Sequence, residues 1–346
     1  MSQAALRPSV ERLLALVDAM AGQPVVMLAD LVVDRFVLGS PKRISREAPV
    51  LILRFEGETQ TPGGGANAVA NVRALEGEPL PLGVVGDDAP GAALVADLER
   101  RGVETSGIAR LAGYKTPTKT RILGGGPIKQ QIVRYDVEDH ATLGAVERAH
   151  FAATLARWRD RARVAVLSDY GYGAVEPDLV PALRAALVAG GLVLCDSRWR
   201  LAEFTGVDAA TPNQEEAETL LGGPLGEEAS LGEAGRSLRE RLGGSTLLVT
   251  LGSRGMGLFA GDRACQIPVH GTDQVADVTG AGDTVIGAFA LALAAGATPL
   301  EAALLADYAA GIVVMRMGTA TLTRTELAAA VRADPRPREE LQWVAS

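Results

Sequence analysis

The stretch Asp277-Val278-Thr279-Gly280-Ala281-Gly282-Asp283 runs directly into an apolar helical pattern, Thr284 to Ala295. Gly280 and Gly282 let the chain turn tightly and bare N–H groups at the start of that helix. Free donors and the helix dipole favour an anion there, such as a phosphoryl group in transfer. Asp283, opening the helix, is placed to accept a proton from a hydroxyl that attacks phosphorus. The same residues also fit a plainer role, a capped helix start with the aspartates serving only the cap.

Working outward, short apolar runs end in polar residues. Val25 to Ala29 precedes Asp30, Val164 to Leu167 precedes Ser168-Asp169, Leu192 to Leu194 precedes Cys195-Asp196, and Thr246 to Val249 precedes Thr250. Runs of this kind are buried on both faces, as in a parallel sheet. Helical patterns separate them, near residues 5–21 and around Asn67–Glu76, Pro90–Arg101, Leu143–Arg159, Pro177–Ala189, Asn213–Leu221 and Leu231–Leu242. Strand alternating with helix predicts βαβ units and a doubly wound α/β sheet covered by helices. Such sheets bind ligands at the carboxyl ends of their strands, which here carry Asp30, Asp34, Asp169, Asp196 and Thr250. A second glycine cluster, Gly63-Gly64-Gly65-Ala66-Asn67, opens another helix and can admit a substrate against bare backbone.

Two stretches break the rhythm. Ala48 to Phe55 is β-rich with no helix after it, and Thr118 to Leu123 and Gln130 to Asp136 flank Gly124-Gly125-Gly126-Pro127, which predicts a hairpin. Alternation puts Lys119 and Arg121 on one face, and Gln130, Ile132 and Arg134 on one side of the next strand. Together these predict an antiparallel β flap, over about 37–60 and 113–137, on a single domain taking in 1–346. Arg43, Lys119, Arg121 and Arg134 suit an anionic substrate or merely the solvation of an exposed edge. Apolar Val50, Ile52 and Ile132 on the flap predict pairing with a second copy of the chain. Gly222 to Leu231 reads as a surface loop.

Across 346 residues, 34 Lys and Arg face 42 Asp and Glu, a net charge of −8. That balance argues against nucleic acid as a partner, which would need a basic face. With 47% hydrophobic residues the chain can bury a large core. Cys195 and Cys265 form no ligand cluster, and His140, His150 and His270 have no metal spacing and read as surface or loop residues. Arg7, Glu11, Arg12 and Asp18 interrupt the first 20 residues, unlike a signal peptide. The longest apolar run, Val285 to Ala297, falls short of the roughly 20 residues a bilayer needs. The expectation is a cytoplasmic protein with no membrane partner.

The two glycine clusters together resemble those of the ribokinase-type (PfkB) carbohydrate kinases, and the likeness extends over about residues 24–333. It implies a ribokinase-like three-layer α/β/α sandwich with a mostly parallel sheet, and a β lid over the sugar that doubles as a homodimer interface. It also implies ATP and Mg²⁺, and leaves a monovalent-cation requirement open. By position, Asp34 and Asn67 would hold sugar hydroxyls, with Asp30, Gly64, Gly65, Lys119, Arg121, Arg134 and Asp169 completing the sugar side. Gly280, Ala281 and Gly282 would form the anion hole, and Asp283 would be the base. Asn213 and Glu216 match an N-x-x-E element that organises Mg²⁺ and phosphate, and Asp277 is a further metal candidate. Thr250, Gly252, Gly255 and Asp307 would fall on the nucleotide side.

Within the family, the segments Arg43 to Val50, Pro62 to Asn67, Leu167 to Tyr170, Thr211 to Asn213 and Asp277 to Gly287 are similar to those of kinases acting on D-glycero-β-D-manno-heptose 7-phosphate. This implies phosphorylation at O1 of that sugar, with another sugar or sugar phosphate as the alternative. Some of these kinases carry an adenylyltransferase half; the chain stops before one, so the expectation is a kinase alone. Three departures stand out: Ala29 for glycine, Gly171-Tyr172-Gly173 for Ala-Lys-Gly, and Asp307-Tyr308 for Asn-Ala. Rival readings are a non-catalytic sugar or nucleotide sensor and, on the weak Gly63, Gly65 and Ala68 pattern, an NAD-dependent oxidoreductase.

Overall fold

A computed structural model describes residues 7–125, 130–226, 228–271 and 275–344. Among these, ten strands build one sheet in the order Gln342–Val344, Arg263–Ile267, Met256–Ala260, Thr246–Thr250, Ala209–Ala210, Leu192–Ser197, Val164–Asp169, Pro24–Ala29, Glu78–Gly86 and Ile108–Leu111. From Thr246–Thr250 onward the neighbours run parallel; the first three strands form an antiparallel edge.

Alternation along these strands divides their side chains between two cores. Val25, Met27, Val164, Val166, Leu194 and Leu248 pack on one face, with helices Val10–Ala19, Gly65–Ala74, Ala89–Arg100, Ala281–Ala294, Pro299–Val313 and Arg324–Ala333. Val26, Leu28, Ala165, Leu167, Val193 and Leu247 pack on the other, with helices Ala145–Arg157, Val180–Ala186, Gln214–Leu221 and Glu228–Arg241. The result is the expected three-layer α/β/α sandwich with a mostly parallel sheet, because side chains that alternate in a strand must be covered on both sides. Every residue of the Ala281–Ala294 helix from Asp283 onward is buried, the signature of a helix that is apolar all round.

The second sheet corrects an expectation. Its order is Leu51–Gly64, Leu31–Ile44, Thr118–Gly124, Gln130–Val137, and the two central strands run parallel, from Val33 opposite Thr118 to Gly39 opposite Gly124. Only its outer pairs are antiparallel. The cause is connectivity: Leu31–Ile44 leaves the body straight after Asp30, and Thr118–Gly124 leaves it again after a crossover through two helices, so both set out in one direction. The loop expected over Gly222 to Leu231 is shortened by the Glu228–Arg241 helix. Part of the hairpin turn expected at Gly124 to Pro127 lies outside the described residues.

The two sheets meet at Gly63 to Gly65, where strand passes directly into helix. A Cβ on Gly65 would lie 2.6 Å from Ala29 Cβ and 2.8 Å from the Asp30 carbonyl oxygen. Gly65→Ala is therefore expected to destabilise the fold by about 1–3 kcal/mol through overpacking. Adding Ala29→Gly should recover part of the loss, a coupling that denaturant midpoints of the single and double mutants would measure.

Candidate active site

Asp277 builds the turn that aims the helix at residues 281–294. Its carboxylate accepts from Thr279 N–H at 2.9 Å, Thr279 Oγ1 at 2.7 Å and Gly318 N–H at 2.9 Å. With both oxygens engaged in this way it serves the loop, which does not suit the metal role expected of it. Gly280 then adopts φ 79°, the left-handed region that favours glycine, and no side chain caps the helix. The Ala281 N–H donates to Val278 O at 3.2 Å, so that member of the expected anion hole is tied into the turn.

Asp283 is 2% exposed. Its Oδ2 accepts from Asn67 Nδ2 at 3.0 Å and its Oδ1 from the Tyr170 hydroxyl at 2.5 Å. Burial pushes its pKa up to about 7, against the pull of these two hydrogen bonds; nearby Asp34 adds to the rise and Lys119 opposes it. Asn67 is itself held by the next turn of its helix, where Asn71 Nδ2 donates to the Asn67 carbonyl at 3.0 Å and to Oδ1 at 3.2 Å. Gly64 and Gly65 bring this helix start against Tyr170 and Ala29.

The lid delivers the cations. Lys119 is buried, with its ammonium 4.9 Å from the centre of the Tyr170 ring, and burial lowers its pKa. Arg121 forms an ion pair with buried Asp34 and lies over the Phe36 ring. Arg134 faces Asp136, Nε to Oδ1 at 2.8 Å, in a more exposed pair. Under the lid a cavity of about 340 Å³ is lined by Phe36, Thr61, Arg121, Asp277, Thr279 and Thr319, and Thr61 and Thr319 hydroxyls join lid to body at 2.7 Å.

Against Tyr170 a second cavity, of about 240 Å³, is lined by Asp169, Asp196, Asn213, Glu216, Thr250 and Gly282. Asn213 and Glu216 form a reciprocal cap on the helix Gln214–Leu221: Glu216 N–H donates to Asn213 Oδ1 and Asn213 N–H to Glu216 Oε2, each at 2.9 Å. Burial raises the pKa of Glu216, and burial with the neighbouring Glu216 and Asp283 charges raises that of Asp196. Thr250 ends its strand in line with Asn213, and Gly252 and Gly255 bracket the tight turn that follows.

Three expected site residues have their carboxylates engaged by other groups of the protein. Asp30 is 1% exposed and its carboxylate accepts from the N–H groups of Tyr170, Tyr172 and Ala174 at 2.8, 2.9 and 3.0 Å, so it shapes the loop instead of presenting to the cavity. Asp169 accepts from Ser197 Oγ at 2.6 Å and pairs with Arg200 at 2.9 Å. Asp307, also buried, accepts from His270 N–H at 3.0 Å and so anchors the chain at the far end of that segment. His270 is no plain loop residue, since its Nδ1 lies 2.8 Å from Asp334 Oδ2.

Beyond the residues expected from the sequence, the structure adds Tyr170 and Arg198, which line the same cavity as Asp196, and Arg200, which pairs with Asp169. The strand-end rule that marks Asp196, the second-last residue of strand Leu192–Ser197, also carries the signal for Tyr170, one residue beyond Val164–Asp169. Among the described residues no group of three His, Cys, Asp or Glu could hold a metal ion, and no helix is long and apolar enough to cross a membrane.

The model of the pfkB family of carbohydrate kinases matches residues 26–326. The chain belongs to that family. The bifunctional protein HldE of Mesorhizobium japonicum is 38% identical over 333 residues, covering 94% of this chain and 65% of that protein. The HldE of Nitrosococcus oceani is 40% identical over 309 residues, covering 88% of this chain and 63% of its own length. The chain thus spans just under two thirds of these curated relatives. Among solved structures, phosphofructokinase-2 of Escherichia coli with substrates and products matches at TM-score 0.72 and 18% identity, over 90% of this chain and 98% of that one. Arabidopsis thaliana ribokinase with ribose and ATP matches at TM-score 0.70 and 21% identity, over 91% and 100%. At these identities the structures speak for the fold, which is ribokinase-like. Family membership makes the chain a sugar kinase.

Proposed function

We propose that the chain transfers the terminal phosphoryl group of ATP to a sugar hydroxyl, with Asp283 as general base. The observation that carries this reading is the buried Asp283 carboxylate, held by Asn67 and Tyr170 at an uncapped helix start between two cavities. The sugar would lie under the lid against Asp34, Asn67 and Lys119, and the nucleotide phosphates in the cavity beside Asn213, Thr250 and Gly282. Asp283 would take the hydroxyl proton as the oxygen attacks in line, while the Gly282 and Asp283 amides and the helix dipole oppose the growing negative charge. Mg²⁺ prefers oxygen ligands and needs only one or two carboxylates beside phosphate and water. Asp196 and Glu216 fit that demand and would hold it, and when bound it would neutralise phosphate charge.

Asp283→Asn keeps shape but cannot accept the proton, so kcat should fall by roughly 10²–10⁴ with little change in ATP affinity. Because the base works only when ionised, kcat/KM should rise with pH through about 7 and level off above it. A profile flat from about pH 5.5 to 8.5, a span that brackets that midpoint, would remove Asp283 as the base.

The sugar we propose is D-glycero-β-D-manno-heptose 7-phosphate, phosphorylated at O1, supported by the segments that resemble kinases of that sugar. Its phosphate would need Arg121 or Arg134 to exchange a carboxylate for a phosphate partner, since each is paired in the structure. Tyr172, whose hydroxyl donates to Glu138 at 3.2 Å, supplies no cation there. The decisive comparison is kcat/KM on the phosphorylated and unphosphorylated heptose. A strong preference that collapses in Arg121→Ala or Arg134→Ala is expected; equal rates would reject this sugar and leave the kinase reading standing.

We also propose a homodimer through the lid, supported by the exposure of Ile44, Phe55, Ile132, Val133 and Tyr135 on that sheet and of Val50 in the turn beside it. Light scattering at micromolar concentration should give twice the mass of one chain, and a monomer would refute it.

A further inference from the structure

Tyr170 joins the lid, the Gly63–Gly65 cluster and Asp283. Its backbone N–H is fixed by Asp30 at 2.8 Å. Its ring lies where a Cβ on Gly64 would approach Cε2 to 3.2 Å, so ring and glycine cluster are closely fitted. The lid ammonium of Lys119 stands 4.9 Å from the ring centre, and Lys119 makes no ion pair among the described residues. From this seat the hydroxyl donates to Asp283 Oδ1 at 2.5 Å, while Asn67 donates to Oδ2. Two anchored oxygens leave the carboxylate no freedom to rotate, yet a carboxylate has about four acceptor sites, so a substrate hydroxyl can still be met.

We infer that Tyr170 is a positioning residue for phosphoryl transfer, its hydroxyl fixing the orientation of Asp283 so that one oxygen faces the attacking sugar. The inference rests on the reading of Asp283 as the base. Burial and the nearby carboxylates raise the phenol's pKa well above its ordinary value, so it stays a donor across the working range. A charge-assisted hydrogen bond of this kind also favours the ionised carboxylate. The charged groups around Asp283 are Asp34 from Leu31–Ile44, Lys119 from Thr118–Gly124 and Asp196 from Leu192–Ser197, and none of them is altered by removing the phenol oxygen.

Tyr170→Phe keeps the ring, its fit to Gly64 and the seat for Lys119. It should lower kcat by about 10- to 100-fold, as expected for a misaimed catalytic group, with KM for ATP and sugar unchanged. In an Asp283→Asn background the same substitution should cost nothing further, because Tyr170 acts through Asp283. A reading independent of turnover comes from the Asp283 carboxyl itself, followed by ¹³C NMR in labelled protein and assigned with Asp283→Asn. Its titration midpoint should rise in Tyr170→Phe, a shift that a merely structural role for the tyrosine would not produce. An unchanged midpoint, or an undiminished loss of kcat in the Asp283→Asn background, overturns the inference. A wild-type chain that phosphorylates no sugar would instead fault the base reading, while the carboxyl titration would still decide whether Tyr170 holds Asp283.

Discussion

A carboxylate taken out of water costs several kcal/mol unless donors replace the lost hydration. Asp283 is in that position, shut into the end of a helix whose next residues are all buried. Two donors from unrelated parts of the chain meet it, Asn67 from the start of one helix and Tyr170 from the loop after a central strand. Each of these must in turn be held, and the second layer of contacts accounts for much of the surrounding structure. Asn71 braces Asn67, and Asp30 ties down the backbone of Tyr170, Tyr172 and Ala174.

The parallel sheet makes this convergence possible. Strands Pro24–Ala29 and Val164–Asp169 are neighbours in register, Ala29 beside Ser168, so Asp30 and Tyr170 emerge at the same edge although 140 residues separate them. The lid strand begins one residue after Asp30 and therefore inherits its position from the same edge. Its parallel partner brings Lys119 level with Asp34, which places a cation over the tyrosine that holds Asp283. Lid and Asp283 are thus referenced to one strand, without any contact that has to span the whole domain.

The apolar runs ending in Asp30, Asp169 and Asp196 were legible because a strand buried on both faces cannot be anything but apolar until it reaches solvent. The DVTGAGD stretch was legible because glycine at a helix start has few other uses. Less visible was what each aspartate does at its address. Asp30 at a strand end, Asp277 in a loop and Asp307 within a helix are aspartates like Asp283, yet their oxygens accept mainly from backbone N–H groups. Apart from the local Asp277–Thr279 bonds, which acid is spent depends on contacts across 37 to 144 residues, which no local pattern encodes. The parallel pairing of the lid escaped for a similar reason: alternation gives the face of each residue but not the direction of its partner strand. Strands Met256–Ala260 and Arg263–Ile267 form a hairpin that turns at Gly261-Asp262, a two-residue signal easily lost between two short apolar runs.

The charges left over after these pairings define the character of the site. Arg121, Arg134 and Arg200 are each matched to an aspartate, so they bring orientation more than positive potential. Asp34 and Asp196 stand near Asp283, and Glu216 near Asp196, each making its neighbour harder to ionise. Lys119, its own charge weakened by burial, is the nearest counterweight. A site in this balance resists an additional anion unless positive charge arrives with it, since like charges at low dielectric repel strongly. On the proposed reading, a phosphate ester beside Asp196 and Glu216 would be favoured when it carries a divalent cation, since added positive charge would relieve their mutual repulsion and favour the ionised form of Asp283.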